Sequence, residues 1–134
     1  MTPAVIVKIG RDKYQTEVLI DKHQIIVDEP EDIGGHDLGP TPMSLLLSSL
    51  GTCKAITMRM YADQKNWALE KIEINLDIDI VKNGIEQLTH ITIGVKLFGE
   101  LDDLQRERIL KVAEKCPVQK ILSNPIYIKT HIVQ

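Results

Sequence analysis

The chain has 134 residues, with 16 basic side chains against 19 acidic ones and a net charge of −3. That length fits one domain spanning residues 1–134, with a core large enough to hold without disulfides. It carries no basic run of the kind nucleic-acid binders show, and its charge-free stretch around Leu45 is too short to span a bilayer.

Ala4 to Ile9 is apolar and β-branched, Gly10-Arg11-Asp12 reads as a turn, and Tyr14 to Ile20 as a second strand. After an Asp21-Lys22-His23 turn, Gln24 to Val27 completes an antiparallel meander. Asp28 to Pro40 is a loop rich in proline and glycine, long enough to imply a functional or intersubunit role. Thr41 and Pro42 then start a helix: a hydroxyl that can cap free N–H groups, followed by proline at the first helical position. The helix runs to about Asn66. No charged residue stands between Leu38 and Cys53, and Leu45, Leu46, Leu47 and Leu50 lie all round the axis. A helix apolar on every side is expected to be buried on every side. Its small residues Ser48, Ser49, Gly51 and Thr52 suit close backbone approach.

Trp67 and Leu69 fall in the connection that follows. Lys71 to Val81 alternates, with Ile72, Ile74, Leu76, Ile78 and Ile80 on one face, as a strand with one wet face does. Asn83-Gly84 is a hairpin signal, and the return strand covers Ile85 to Phe98. Leu101 to Lys115 is amphipathic, with Leu101, Leu104, Ile109, Val112 and Ala113 inward and Asp102 and Asp103 suited to the first turn. Pro117 ends it at Cys116. A short helical segment to Ser123, a turn at Asn124-Pro125 and a strand from Ile126 to Val133 complete the order βββ-α-ββ-αα-β, an α+β fold.

Met1-Thr2-Pro3 leads directly into the first strand with no signal-peptide pattern, so the expected location is cytoplasmic, where cysteines stay reduced unless they do redox work. Cys53 and Cys116 are the only two. They form no metal motif, because zinc sites need close ligand pairs and His23, His36, His90 and His131 are scattered singly. Both could be small apolar core residues. Local physics favours Cys116 as nucleophile: it directly precedes Pro117 at the start of a helical segment, whose free N–H groups lower a thiol pKa. Cys53 lies mid-helix and has no such help from its own helix.

The run GPTPMSLLLSSLGTC, Gly39 to Cys53, followed far downstream by EKCPVQKIL, Glu114 to Leu122, resembles the OsmC/Ohr family of thiol-dependent hydroperoxide reductases. The resemblance covers almost the whole chain. It implies an OsmC-like fold with a long buried central helix, in an intertwined homodimer whose sites lie where the first strands of one subunit meet the long helix of the other. It also implies that Cys53 is the peroxidatic nucleophile and Cys116 the resolving thiol, reversing the local assignment. A low-pKa thiol attacks well but also leaves well. The family's site arginine matches Arg11, in the first hairpin turn, which would hold Cys53 as thiolate. Arg59, on the same helix as Cys53, is the rival.

One position departs from the family pattern: peroxide-reducing members carry a glutamate after the helix-start proline, and Met43 stands there. Either Glu29, Glu31, Asp32 or Asp37 takes the glutamate's role beside the arginine, or the site is tuned differently, and the chain resembles a subgroup of the family with Met in place of the usual site Glu. Met43, Leu46, Leu50, His36 and Tyr61 are the candidate pocket residues, although His36 also reads as a loop side chain bonded to backbone and Tyr61 as core. The implied activity is reduction of organic hydroperoxides in oxidative stress defence, with hydrogen peroxide as a further candidate substrate. A dithiol, a lipoylated protein or a thioredoxin-like partner would be the reductant. No metal, organic cofactor, nucleic acid or membrane is implied. The alternative is a non-peroxidase relative that binds a small apolar ligand or a reactive sulfur species in the dimer pocket.

Overall fold

Three β-branched runs separated by tight turns give the first sheet. The structure, a computed structural model, describes residues 4–134; the reading of Met1-Thr2-Pro3 lies outside the described residues. Strands β1 (Val5–Ile9), β2 (Thr16–Ile20) and β3 (His23–Val27) pair antiparallel in that order. Ile20 pairs with His23, so Asp21 and Lys22 form the turn, with Asp21 at φ 52°, a conformation that aspartate tolerates.

The loop after β3 is built around one carboxylate. Asp28 is 1% exposed and accepts four backbone N–H groups, from Tyr14 (3.1 Å), Glu29 (2.8 Å), His36 (3.3 Å) and Leu38 (3.1 Å). Burial, the largest single influence, pushes its carboxyl upward; the four N–H groups together outweigh it and hold the group below the ordinary 3.8. Glycine is required where the loop doubles back: a Cβ on Gly35 or Gly39 would stand 2.0 Å from the carbonyl oxygen of Glu29 or Ile26. The loop therefore delivers Thr41 in a set position, where its Oγ1 accepts the Ser44 N–H at 3.1 Å. That caps α1 (Pro42–Lys65) at the place the Thr-Pro signal indicates.

The backbone clusters into two compact units, Met1–Leu46 and Leu47–Gln134, and α1 runs through the boundary. In the second unit, β4 (Leu69–Asn83) and β5 (Glu86–Gly99) form a long antiparallel hairpin. Asn83 is the last paired residue of β4, opposite Glu86, so the two-residue loop is Gly84-Ile85. Gly84 at φ 66° supplies the positive φ that such a turn needs at its first position, one residue later than the Asn-Gly signal placed it. Leu69 belongs to β4 rather than to the connection, and it is buried.

Helix α2 (Asp103–Val112) opens on a capping box, Asp102 accepting the Gln105 N–H at 2.7 Å and Gln105 Oε1 accepting the Asp102 N–H at 2.9 Å. A 3-10 turn (Ala113–Lys115) and α3 (Pro117–Leu122) follow, with Cys116 at the junction. Met58, Ala62, Leu69, Ile109 and Ala113 form the buried core of this unit, with Trp67, Ile72, Ile74, Val95 and Leu97 packed on it.

Three expectations change. First, α1 is not buried on every side within one chain. Its buried stripe is Leu50, Gly51, Lys54, Met58 and Ala62, the opposite face leaves Ile56 and Met60 exposed, and Leu46 near the helix start is exposed as well. A helix spaced for 3.6 residues per turn can bury only one stripe against one hairpin. Second, Leu104 faces outward, 55% exposed, because the inward positions on α2 are taken by Ile109 and Val112. Third, the expected last strand, Ile126 to Val133, pairs with no described strand of the same chain, and residues 124–134 are exposed. A strand exists only with a partner for its N–H and C=O groups, and the described chain provides none there.

Candidate active site

Cys53 and Cys116 stand 63 residues apart in sequence. Helix α1 brings the first and the junction before α3 brings the second, close enough for the Cys116 thiol to raise the pKa of Cys53. Both are free; Cys116 is buried and Cys53 half-buried. A disulfide requires Cα atoms within about 7 Å, a condition that only tertiary packing can meet at such a separation.

Burial pushes the Cys53 thiol above its ordinary 9.0, and the neighbouring Cys116 raises it further through the hydrogen bond and through charge repulsion. Two groups work against this, and the larger effect comes from the Val118 backbone N–H, which lowers the pKa of the Cys53 thiol by hydrogen bonding. Val118 is the second residue of α3, where N–H groups have no partner within the helix. Cys116, the residue before α3, makes no side-chain cap to that helix. The helix-start N–H that local reading assigned to Cys116 is therefore directed at Cys53. Thr57 stands beside the Cys53 sulfur and also favours the thiolate, although its hydroxyl proton is donated to the Cys53 carbonyl at 2.8 Å.

A residue the sequence reading passed over completes the cradle. Lys54 is 3% exposed and lies in the buried stripe of α1. Its Nζ donates to the Ala113 carbonyl at 3.1 Å and to Gln119 Oε1. The Gln119 amide in turn donates to Glu114 Oε2 at 2.6 Å. Gln119 and Glu114, with Leu50, Thr89, Ile91 and Leu122, line an open cleft of about 390 Å³. The available signal was a lysine at the end of the charge-free run, on a helix face four residues from Leu50 and from Met58.

The other named residues are distributed as follows. Leu50 is buried on α1 and lines the cleft. Tyr61 packs edge-on against Trp67, ring centroids 5.6 Å apart, on the core of the second unit. Arg59 is committed to Asp63, at 2.5 and 3.0 Å, and to the Leu69 carbonyl at 2.6 Å. Arg11 is exposed in the bend between β1 and β2, in the first unit. His36, in the same unit, has Nδ1 2.7 Å from the Lys13 carbonyl, so that nitrogen carries the proton. Met43 and Leu46 are exposed near the start of α1. Among the described residues, no group of three or more His, Cys, Asp or Glu side chains could hold a metal ion, and no helix is long and apolar enough to cross a membrane.

An α+β fold in which α1 and the junction before α3 bring two free thiols close together defines a thiol-pair protein. The family model for OsmC-like proteins matches residues 34–131, and the chain belongs to that family. It resembles the crystal structure of an OsmC-like protein from Mycoplasma pneumoniae, with a TM-score of 0.77 and 20% identity over 92% of this chain and 88% of that one. The organic hydroperoxide resistance protein OhrB of Bacillus subtilis is similar at a TM-score of 0.64 and 20% identity, over 90% of each chain. A putative organic hydroperoxide resistance protein from Vibrio cholerae, with captopril bound in one of its active sites, is similar at a TM-score of 0.67 and 18% identity, over 91% of this chain and 84% of that one. No match was found among curated proteins.

Proposed function

We propose that this protein is a thiol-dependent peroxidase that reduces organic hydroperoxides through a two-cysteine cycle. The observation that carries this reading is the closeness of Cys53 and Cys116, 63 residues apart in sequence, in a chain of the OsmC-like family that is similar to organic hydroperoxide resistance proteins. The Cys53 thiolate attacks the terminal peroxide oxygen, the O–O bond breaks, and the alcohol leaves after taking a proton. Cys53 is then a sulfenic acid. The Cys116 sulfur displaces its hydroxyl as water, and the disulfide holds the two-electron oxidation. A dithiol, lipoylated or thioredoxin-like reductant returns the pair to thiols.

Cys53 takes the attacking role because it is the half-buried thiol and receives the Val118 N–H. Cys116, fully buried, takes the resolving role. Within its own surroundings the Cys53 thiol lies above 9.0, so attack near neutral pH calls for a cation. Arg11 is the candidate, supplied across the subunit boundary of a homodimer. The exposed apolar residues Ile56 and Met60 on α1, Val5, Ile6 and Val7 on β1, and Tyr127 and Ile128 in the tail are the surfaces that a second copy would cover. Met43, Leu46 and Leu50 would line the apolar end of the substrate pocket.

A second reading rests on Met43, which cannot pair with an arginine as a glutamate would: the same pocket would bind an apolar ligand or a reactive sulfur species without peroxide turnover. Thiol titration separates the two. One equivalent of an alkyl hydroperoxide should consume both thiols of each chain, with formation of one intramolecular disulfide and one alcohol. Retention of both thiols would exclude the peroxidase cycle.

A further inference from the structure

Lys54 is chemically out of place in its stripe. Leu50, Met58 and Ala62 occupy the neighbouring buried positions, and a lysine there loses its hydration. An apolar side chain of similar length would fill the space without that cost. What Lys54 does instead is reach across to the segment carrying the second thiol. It holds Ala113 three residues before Cys116 and Gln119 three residues after it. The Ala113 carbonyl also receives the N–H of Cys116 itself, at 3.4 Å. The residue next to Cys53 thus grips both flanks of Cys116.

We propose that Lys54 is a positioning residue that sets the approach of Cys116 to Cys53 and so the ease with which their disulfide closes. The proposal deepens the two-cysteine reading above and rests on it. Closing the bond demands a narrow range of separation and torsion, and a thiol held at that separation reacts as though highly concentrated. A Cys116 segment released from α1 samples many positions, and closure slows. A Cys53 sulfenic acid that waits too long meets a second hydroperoxide, which adds an oxygen to give the sulfinate and releases another alcohol.

Lys54→Met keeps the packing and deletes the donors, and Gln119→Leu deletes one acceptor while leaving Lys54 in place. Each reduced variant is first equilibrated with a glutathione redox buffer. One glutathione disulfide takes two electrons from the thiol pair, leaving the protein disulfide and two glutathione thiols. Lys54→Met should lower the equilibrium constant for disulfide formation by about tenfold, or ~30 mV, with a smaller loss for Gln119→Leu. Val27→Ala, a buried change in the first unit, should leave it at the wild-type value. In the second arm, excess alkyl hydroperoxide should raise the sulfinate fraction at Cys53 in both clamp variants, read by mass. Clamp variants with the wild-type equilibrium constant and the wild-type sulfinate fraction would overturn the proposal. A lowered equilibrium constant together with a wild-type protein that ignores hydroperoxide would sustain the clamp and refute the peroxidase reading.

Discussion

Asp28 and Lys54 are the two charge-bearing residues buried among the described residues, and they are held in opposite ways. Asp28, in the first unit, receives four N–H groups, all from the backbone of residues 14–38. Its partners are fixed by the course of the main chain, so it acts as a pin for a loop. Lys54, in the second unit, gives its hydrogen bonds to groups 59 and 65 residues away. Its partners exist only once α1, the 3-10 turn and α3 have packed. A backbone-held charge of the first kind makes a rigid scaffold. A side-chain clamp between distant elements can instead govern how two reactive groups meet.

The largest effect should come from emptying the first of these sites. Asp28→Ala would leave four N–H groups facing a cavity without an acceptor, and buried unpaired donors are among the costliest defects a fold can carry. Its thermal midpoint should fall further than that of Arg11→Ala, Met43→Glu or Cys116→Ala, and hydrogen exchange should accelerate at Tyr14, His36 and Leu38. The sign with pH follows from the depressed carboxyl. A group whose folded pKa lies below its unfolded value contributes stability above the ordinary 3.8, lost as pH falls through the folded value. The stability gap between wild type and Asp28→Asn should be full at neutral pH and close in strong acid. A gap that does not change with pH would show that the carboxylate charge is irrelevant to the pin.

The next variant asks whether the first unit supplies charge to the second. In a Cys116→Ser background, Arg11→Ala should slow iodoacetamide alkylation of Cys53 near neutral pH by about ten- to a hundredfold, the scale of a close opposite charge on a thiol. An unchanged pH profile would remove Arg11 from the site and leave the Val118 N–H as the chief source of thiolate stabilisation. Met43→Glu, made alongside, should speed hydroperoxide turnover while leaving the alkylation profile where it was.

The smallest effect lies within the second unit. Cys116 raises the Cys53 pKa through its hydrogen bond and its charge, while burial, the larger cause, remains when Cys116 is replaced. Cys116→Ala should therefore make Cys53 react roughly two- to fivefold faster with iodoacetamide at pH 7, since each pKa unit is a factor of ten in thiolate. Slower alkylation in that variant would mean that Cys116 activates Cys53 instead of restraining it.

Local chemistry in the sequence was enough for the elements and their ends. The period of two in Lys71–Val81, the Thr41-Pro42 cap and Pro117 each act within a few residues, and each is found doing so. The family resemblance, carried by Gly39–Cys53 and Glu114–Leu122, paired the two cysteines that local physics could only rank. Packing decided the rest. Position in the chain says that the N–H groups at the start of α3 should serve Cys116, yet the Val118 N–H points at the sulfur of Cys53, because that sulfur arrives from another helix. Lys54 looks like the end of an apolar run until Ala113 and Gln119 are brought over it. Leu104 has the right period for the core and the wrong side of it, and Ile126–Val133 has strand composition but no partner within the described chain. Periodicity records which residues share a face; only the arrangement of all the faces determines what each one meets.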